Sequence, residues 1–209
     1  MMKHFDKASI LEAESSFRRD FINCLSGYKS LNLIGTKSLK GVTNLSPFSQ
    51  VFHIGASPPL VGILFRPHSV ERHTLENILE TGYFTLNHVT EDFYQEAHQT
   101  AARYSGSEFE ATGLDEEYLE DFFAPFVAKS PVKVGCKLVE TQTLQVNGTE
   151  LLIGAIEHVW VEEKGLRSDG SLDLNVLGTV TVTGLDEYHV GKKIARLSYP
   201  KPGKELEEI

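Results

Sequence analysis

An antiparallel barrel with a few inserted helices, mainly β within the α+β class, is what this sequence predicts, on three observations. Two long strand-like runs, 132–146 and 150–161, flank Asn147-Gly148, a dipeptide suited to the positive backbone angles of a hairpin turn. Shorter strand-like runs are separated by Gly, Pro and Asp at Ser57-Pro58-Pro59, Asp169-Gly170, Gly178 and Gly184-Leu185-Asp186. Strands do not alternate with helices, and neither glycine-rich phosphate-loop pattern is present, which argues against a doubly wound nucleotide fold.

Taken in order, residues 12–26 read as an amphipathic helix. Phe17, Phe21, Ile22 and Leu25 have helical spacing, and Gly27 makes a stop. Residues 28–36 alternate as a strand, 50–56 form another short one, and the nearly all-apolar run 60–65 reads as a central buried strand. A helix begins at Thr74, with Leu75, Ile78 and Leu79 on one face and Gly82 as its C-terminal cap, and strand 83–87 leaves it. Residues 91–104 read as helical, with Phe93, Ala97 and Ala101 on one side. The stretch 105–130 is acidic, aromatic and irregular. Its aromatics Tyr118, Phe122, Phe123 and Phe126 suit a satellite core under a loop or a lid over a flat ligand, and its pairs Glu116-Glu117 and Glu120-Asp121 read as a solvated acidic helix. The polar tail 200–209 reads as frayed.

The length of 209 residues suits one domain with one sizeable core. No window approaches the length of a membrane span, and residues 1–7 lack the apolar core of a signal peptide, so a cytoplasmic protein is expected. Cys24 and Cys136 are far apart, without paired-ligand spacing, and are expected to be buried thiols in a reducing compartment. Asn147-Gly148-Thr149 matches a glycosylation sequon but reads as a turn. The net charge of −9 should repel nucleic acid and anionic membrane, so neither is expected as a partner. His88, His98, His158 and His189 are scattered without metal-ligand spacing, and no metal site is expected. Ser46 and Ser49 lack the setting of a nucleophile elbow.

Two clusters carry polar chemistry. Residues 41–49, Gly-Val-Thr-Asn-Leu-Ser-Pro-Phe-Ser, pack hydroxyls, an amide, a proline and an aromatic between apolar runs. A buried strand excludes Pro from its centre, so the segment is either a kinked edge strand or a cradle for a polar, anionic, planar ligand. The second cluster joins Arg66 to Arg72, His73, Thr74 and Asn77 at an expected helix start, where arginines and a helix N-terminus suit a phosphate. Its other reading is an ordinary N-cap at Thr74 with solvated arginines.

These blocks, in order with Pro58-Pro59-Leu60-Val61-Gly62, Ser107 to Leu114, Ser130-Pro131, Cys136-Lys137-Leu138 and Arg196 to Tyr199, resemble the flavin reductase-like, FMN-binding split-barrel family, which includes flavoredoxins. The resemblance runs from about residue 18 to 199 and treats 1–209 as a single domain. It implies a six-stranded Greek-key split barrel, a homodimer, and FMN as cofactor near the subunit interface. Asn44, Leu45, Ser46, Pro47 and Phe48 would lie along the ring, meeting its polar edge through backbone N–H groups and hydroxyls, with Ser49 toward the ribityl or phosphate end. Arg72, Thr74 and Asn77 would hold the phosphate, with Arg66 as an additional partner. His73 stands where the family commonly has Asp. The implied activity is hydride transfer from NADH or NADPH to flavin, with a monooxygenase as possible partner and no obligatory catalytic side chain. The alternatives are an FMN-binding electron carrier that never meets a nicotinamide, and a non-catalytic small-molecule-binding barrel.

Overall fold

The hairpin expected around Asn147-Gly148 is the longest feature of the computed structural model, which describes residues 1–209. In chain order the helices and strands begin with α1 Lys7–Glu12, α2 Ser15–Cys24, β1 Lys29–Ser30, β2 Asn32–Lys37, β3 Thr43–Phe48, β4 Val51–Ala56 and β5 Pro59–Phe65. They continue with α3 His73–Thr81, β6 Tyr83–His88, α4 Tyr94–Gln99, α5 Glu108–Thr112, β7 Glu116–Glu117 and β8 Phe126–Val127. The last four strands are β9 Val132–Leu144, β10 Thr149–Val161, β11 Val180–Thr183 and β12 Glu187–Val190. Gly148, at φ +73°, closes the β9–β10 loop and donates its N–H to the Leu144 carbonyl at 2.8 Å, a conformation costly for any residue with a Cβ.

Seven strands form one sheet in the order β3-β2-β6-β9-β10-β5-β4, every neighbouring pair antiparallel. Its two edge strands, β3 and β4, are consecutive in the chain and joined only through Ser49 and Gln50. The sheet must therefore curl to bring its two edges to that corner, and the Leu64 N–H reaches the Gln50 carbonyl at 3.1 Å, carrying the β4–β5 ladder up to it. Elsewhere the edges stay apart. This is a split barrel, with seven strands where the resemblance implied a six-stranded core.

Ile34, Ile63, Phe65, Phe84, Leu86 and Leu152 fill the barrel, and α3 presses Leu75 and Ile78 onto the same cluster. The other face of β2 and β3 is covered as well. There Leu31, Leu33 and Leu45 pack with Phe93, Ala97, Phe109 and the valines of β11. Strand β2 is thus buried on both faces, and Gly35 is required within it. A Cβ at that position would stand 2.3 Å from the Pro125 carbonyl oxygen and 2.6 Å from Thr85 Oγ1. Polar groups at this depth are satisfied: Asn87 Nδ2 donates to the Leu33 carbonyl and Thr85 Oγ1, and its Oδ1 accepts from the Val127 N–H.

Several expectations need correction. The helix expected at 12–26 is α2, which starts three residues later because Glu14 caps it by accepting from the Ser16 and Phe17 N–H groups, and a separate short helix, α1, precedes it. Helix 91–104 shortens to α4; Phe93 and Ala97 are buried, Ala101 is not. The acidic helix is absent: Glu116 and Glu117 form β7, and Glu120 and Asp121 adopt positive φ in a turn. Phe122, Ala124 and Phe126 form the satellite core, against Tyr83 and Trp160. Cys136 is buried, its thiol pushed upward by desolvation, but Cys24 is exposed. The tail is exposed yet folds back, its Glu207 carbonyl accepting from the Ser198 N–H at 2.8 Å. No helix is long and apolar enough to cross a membrane.

Candidate flavin site

Strand β3 is an edge strand, which is how a proline sits inside it. The register pairs Ser46 with Ile34 and Asn44 with Thr36, while the Leu45 N–H turns away from β2 to the Glu108 carboxylate at 3.0 Å. Alternation along the ladder then directs the Asn44 and Ser46 N–H groups toward β2, and Pro47 has none. The expectation that backbone N–H groups of 44–47 meet a ring edge is therefore not met: those donors are committed or missing. What the segment offers a ligand is side chains, with Ser46 and Phe48 on the face turned toward α3.

That face opens on a cavity of about 590 Å³, within the size range of cofactor pockets. Of the expected residues, Asn44, Ser46, Pro47, Phe48, Ser49, Arg66, Arg72 and Thr74 line it. Leu45 and Asn77 do not. Leu45 is fully buried in the second core, and Asn77 turns inward to donate to Thr36 Oγ1 at 3.1 Å. The family resemblance implies a ligand role for both, and the pleat and the helical turn point them into protein.

Helix α3 starts one residue before the expected Thr74, with Arg72 as N-cap and no side chain capping the first turn. Thr74 is not the cap, since its hydroxyl accepts from Asn44 Nδ2 at 2.8 Å and ties the helix start to β3. Arg72 is fixed at two points: its N–H donates to Glu76 Oε1 at 2.9 Å and its Nε to the Pro67 carbonyl at 3.2 Å. The same N–H, with His68, holds the Glu76 carboxyl below its usual range. Arg66 has no acidic partner. Two guanidinium groups and an uncapped helix start thus share one end of the cavity, and the donor set fits a phosphate. His73 is exposed beside Glu71, at 3.5 Å.

The far wall was not anticipated. It brings Thr100 to Tyr104, Glu108, Val182, Leu185 and Tyr188 opposite β3. Tyr188 pairs its hydroxyl with His98 Nδ1 at 2.6 Å, and burial pushes its phenol up. These residues come from segments remote in sequence, brought together because α4, α5 and β11 all pack with β3 in the second core. A second cavity, about 650 Å³, shares Leu31 with the first and carries Lys29, Arg167 and Arg196, but none of the expected site residues.

A split barrel with a cationic pocket beside its edge strand β3 places the chain among the split-barrel proteins. Residues 29–175 match the model of the flavin reductase like domain, and the chain belongs to that family. It is 52% identical to a candidate flavin reductase with a split barrel domain from Shewanella frigidimarina, with a TM-score of 0.92, covering 95% of this chain and 100% of that one. Two more distant structures show the same fold. Nitrilotriacetate monooxygenase component B from Bacillus cereus is 20% identical, with a TM-score of 0.81, over 93% of this chain and 99% of that one. Flavoredoxin of Desulfovibrio vulgaris is 24% identical, with a TM-score of 0.73, over 94% and 97%. A flavin-related function and a flavin cofactor follow from the family.

Proposed function

We propose that the protein is an FMN-binding, NAD(P)H-dependent flavin reductase of the cytoplasm. The observation that carries this reading is the cavity beside β3, lined by Arg66, Arg72, Thr74, Ser46 and Ser49 together with the aromatic residues Phe48, Phe65 and Tyr188. Arg66, Arg72 and the α3 start would hold the phosphate, and Ser46 and Ser49 would donate toward ring and ribityl oxygens. A bound flavin supplies acceptance of a hydride at its ring. The chain's part is to orient that ring, exclude water and leave one face open to a nicotinamide. No side chain is required to move a proton in that transfer.

The likeness to a monooxygenase component B supports a partner oxygenase fed with reduced flavin. A homodimer is part of the same reading, supported by the apolar residues Phe17, Ile22 and Leu25 that α2 leaves exposed. Anaerobic stopped-flow with FMN-loaded protein tests it: NADH or NADPH should bleach the flavin absorbance. The likeness to flavoredoxin supports a second reading, an electron carrier, which would be reduced by dithionite but by neither nucleotide.

A further inference from the structure

One buried acid in the cavity wall has a carboxylate oxygen that no contact described so far uses. Glu108 opens α5 and is only 6% exposed, yet no lysine, arginine or histidine pairs with it. Its Oε2 accepts the Leu45 N–H at 3.0 Å, and its Oε1 makes no bond within the chain. No fully enclosed side-chain polar atom of this protein lacks a partner, so Oε1 keeps some access, and Glu108 lines the cavity. A donor from a ligand would complete the hydrogen bonding of this carboxylate.

The pyrimidine edge of an isoalloxazine presents N1, O2, O4 and N5 as acceptors and a single donor, N3–H. The Ser46 hydroxyl can donate to one of the acceptors. Glu108 is acceptor-only when ionised and complements the single donor. We propose that Glu108 reads the ring N3–H of the bound flavin, and so selects a pyrimidine-type edge with a donor at that position. This rests on the flavin reading above.

The test is a fluorescence-quenching titration of FMN and of 3-methyl-FMN, in which the donor is replaced by a methyl group, against the full chain and the variants Glu108→Ala and Glu108→Gln. The wild type should bind 3-methyl-FMN at least about tenfold more weakly than FMN, the scale of one hydrogen bond to a charged group. In Glu108→Ala the discrimination should vanish, because both the acceptor and the obstacle to the methyl are gone. If Glu108→Ala does not fold, Glu108→Gln serves instead. Its one oxygen stays with the Leu45 N–H and its NH₂ faces the ring, so FMN binding weakens and the discrimination is again lost. Equal binding of the two flavins by the wild type overturns the role of Glu108 while leaving the flavin reading intact, as does a methyl penalty that persists in the variants. Failure of the wild type to bind FMN at all overturns the flavin reading, and this inference with it.

Discussion

Single residues show how burial decides what a polar group can do. His88 is largely enclosed beside Thr179, and desolvation lowers its pKa to about 4 from 6.5. A histidine whose folded pKa lies below its unfolded value is neutral in the native state, while the unfolded chain takes up a proton first. Stability is therefore full above about pH 6.5 and is lost as pH falls toward 4, by about 2 to 3 kcal/mol for this group. Urea midpoints measured at pH 7 and 4.5 should show that fall, and His88→Gln should flatten it. Asn44 and Asn77 carry the same lesson in the site: both amides look ligand-ready in sequence, yet each donates to a buried threonine of its own chain. Residue type is visible in a sequence, whereas the partner that occupies it is fixed by contacts across 30 to 41 residues.

At the scale of elements, α3 and β2 do different work. Helix α3 presents Arg72 and an uncapped first turn to the cavity, so its contribution should depend on a phosphate. Replacing Arg72 by Met should weaken FMN about tenfold and leave riboflavin, which has no phosphate, nearly unchanged in the same titration. Equal losses for both ligands would point to a general collapse of the pocket. Strand β2 has to pass beneath Pro125 without a Cβ at Gly35. Gly35→Ala meets backbone there, which cannot rotate away, and should cost about 3 kcal/mol or more in chemical denaturation, or abolish soluble expression. Helix and strand types in this chain were legible where period or punctuation was strong, as in α3 with Gly82 and in the β9–β10 hairpin. They were not legible at 105–130, where two residues at positive φ turn a charge run into a loop, nor at 7–12, where the short helix α1 has no buried face to give it a period.

For the whole molecule, the barrel was readable from hairpin signals and the cationic half of the site from its residue types. The far wall was not, because α5, β11 and β12 meet β3 only through the fold. The remaining exposed apolar surface on α2 has a consequence at this scale. The protein should run as a dimer in light scattering at micromolar concentration; a monomer of 23.3 kDa would count against the subunit arrangement proposed above.

Strand β3 ends the sheet, and a sheet edge is a standing invitation for another chain to add a strand and begin a fibre. Strand β3 declines it. Of its outward-facing positions, Leu45 has its N–H sequestered by Glu108 and Pro47 has no N–H to give, so an intruding strand would find two successive rungs missing. The edge beside the cavity is thus closed to polymerisation.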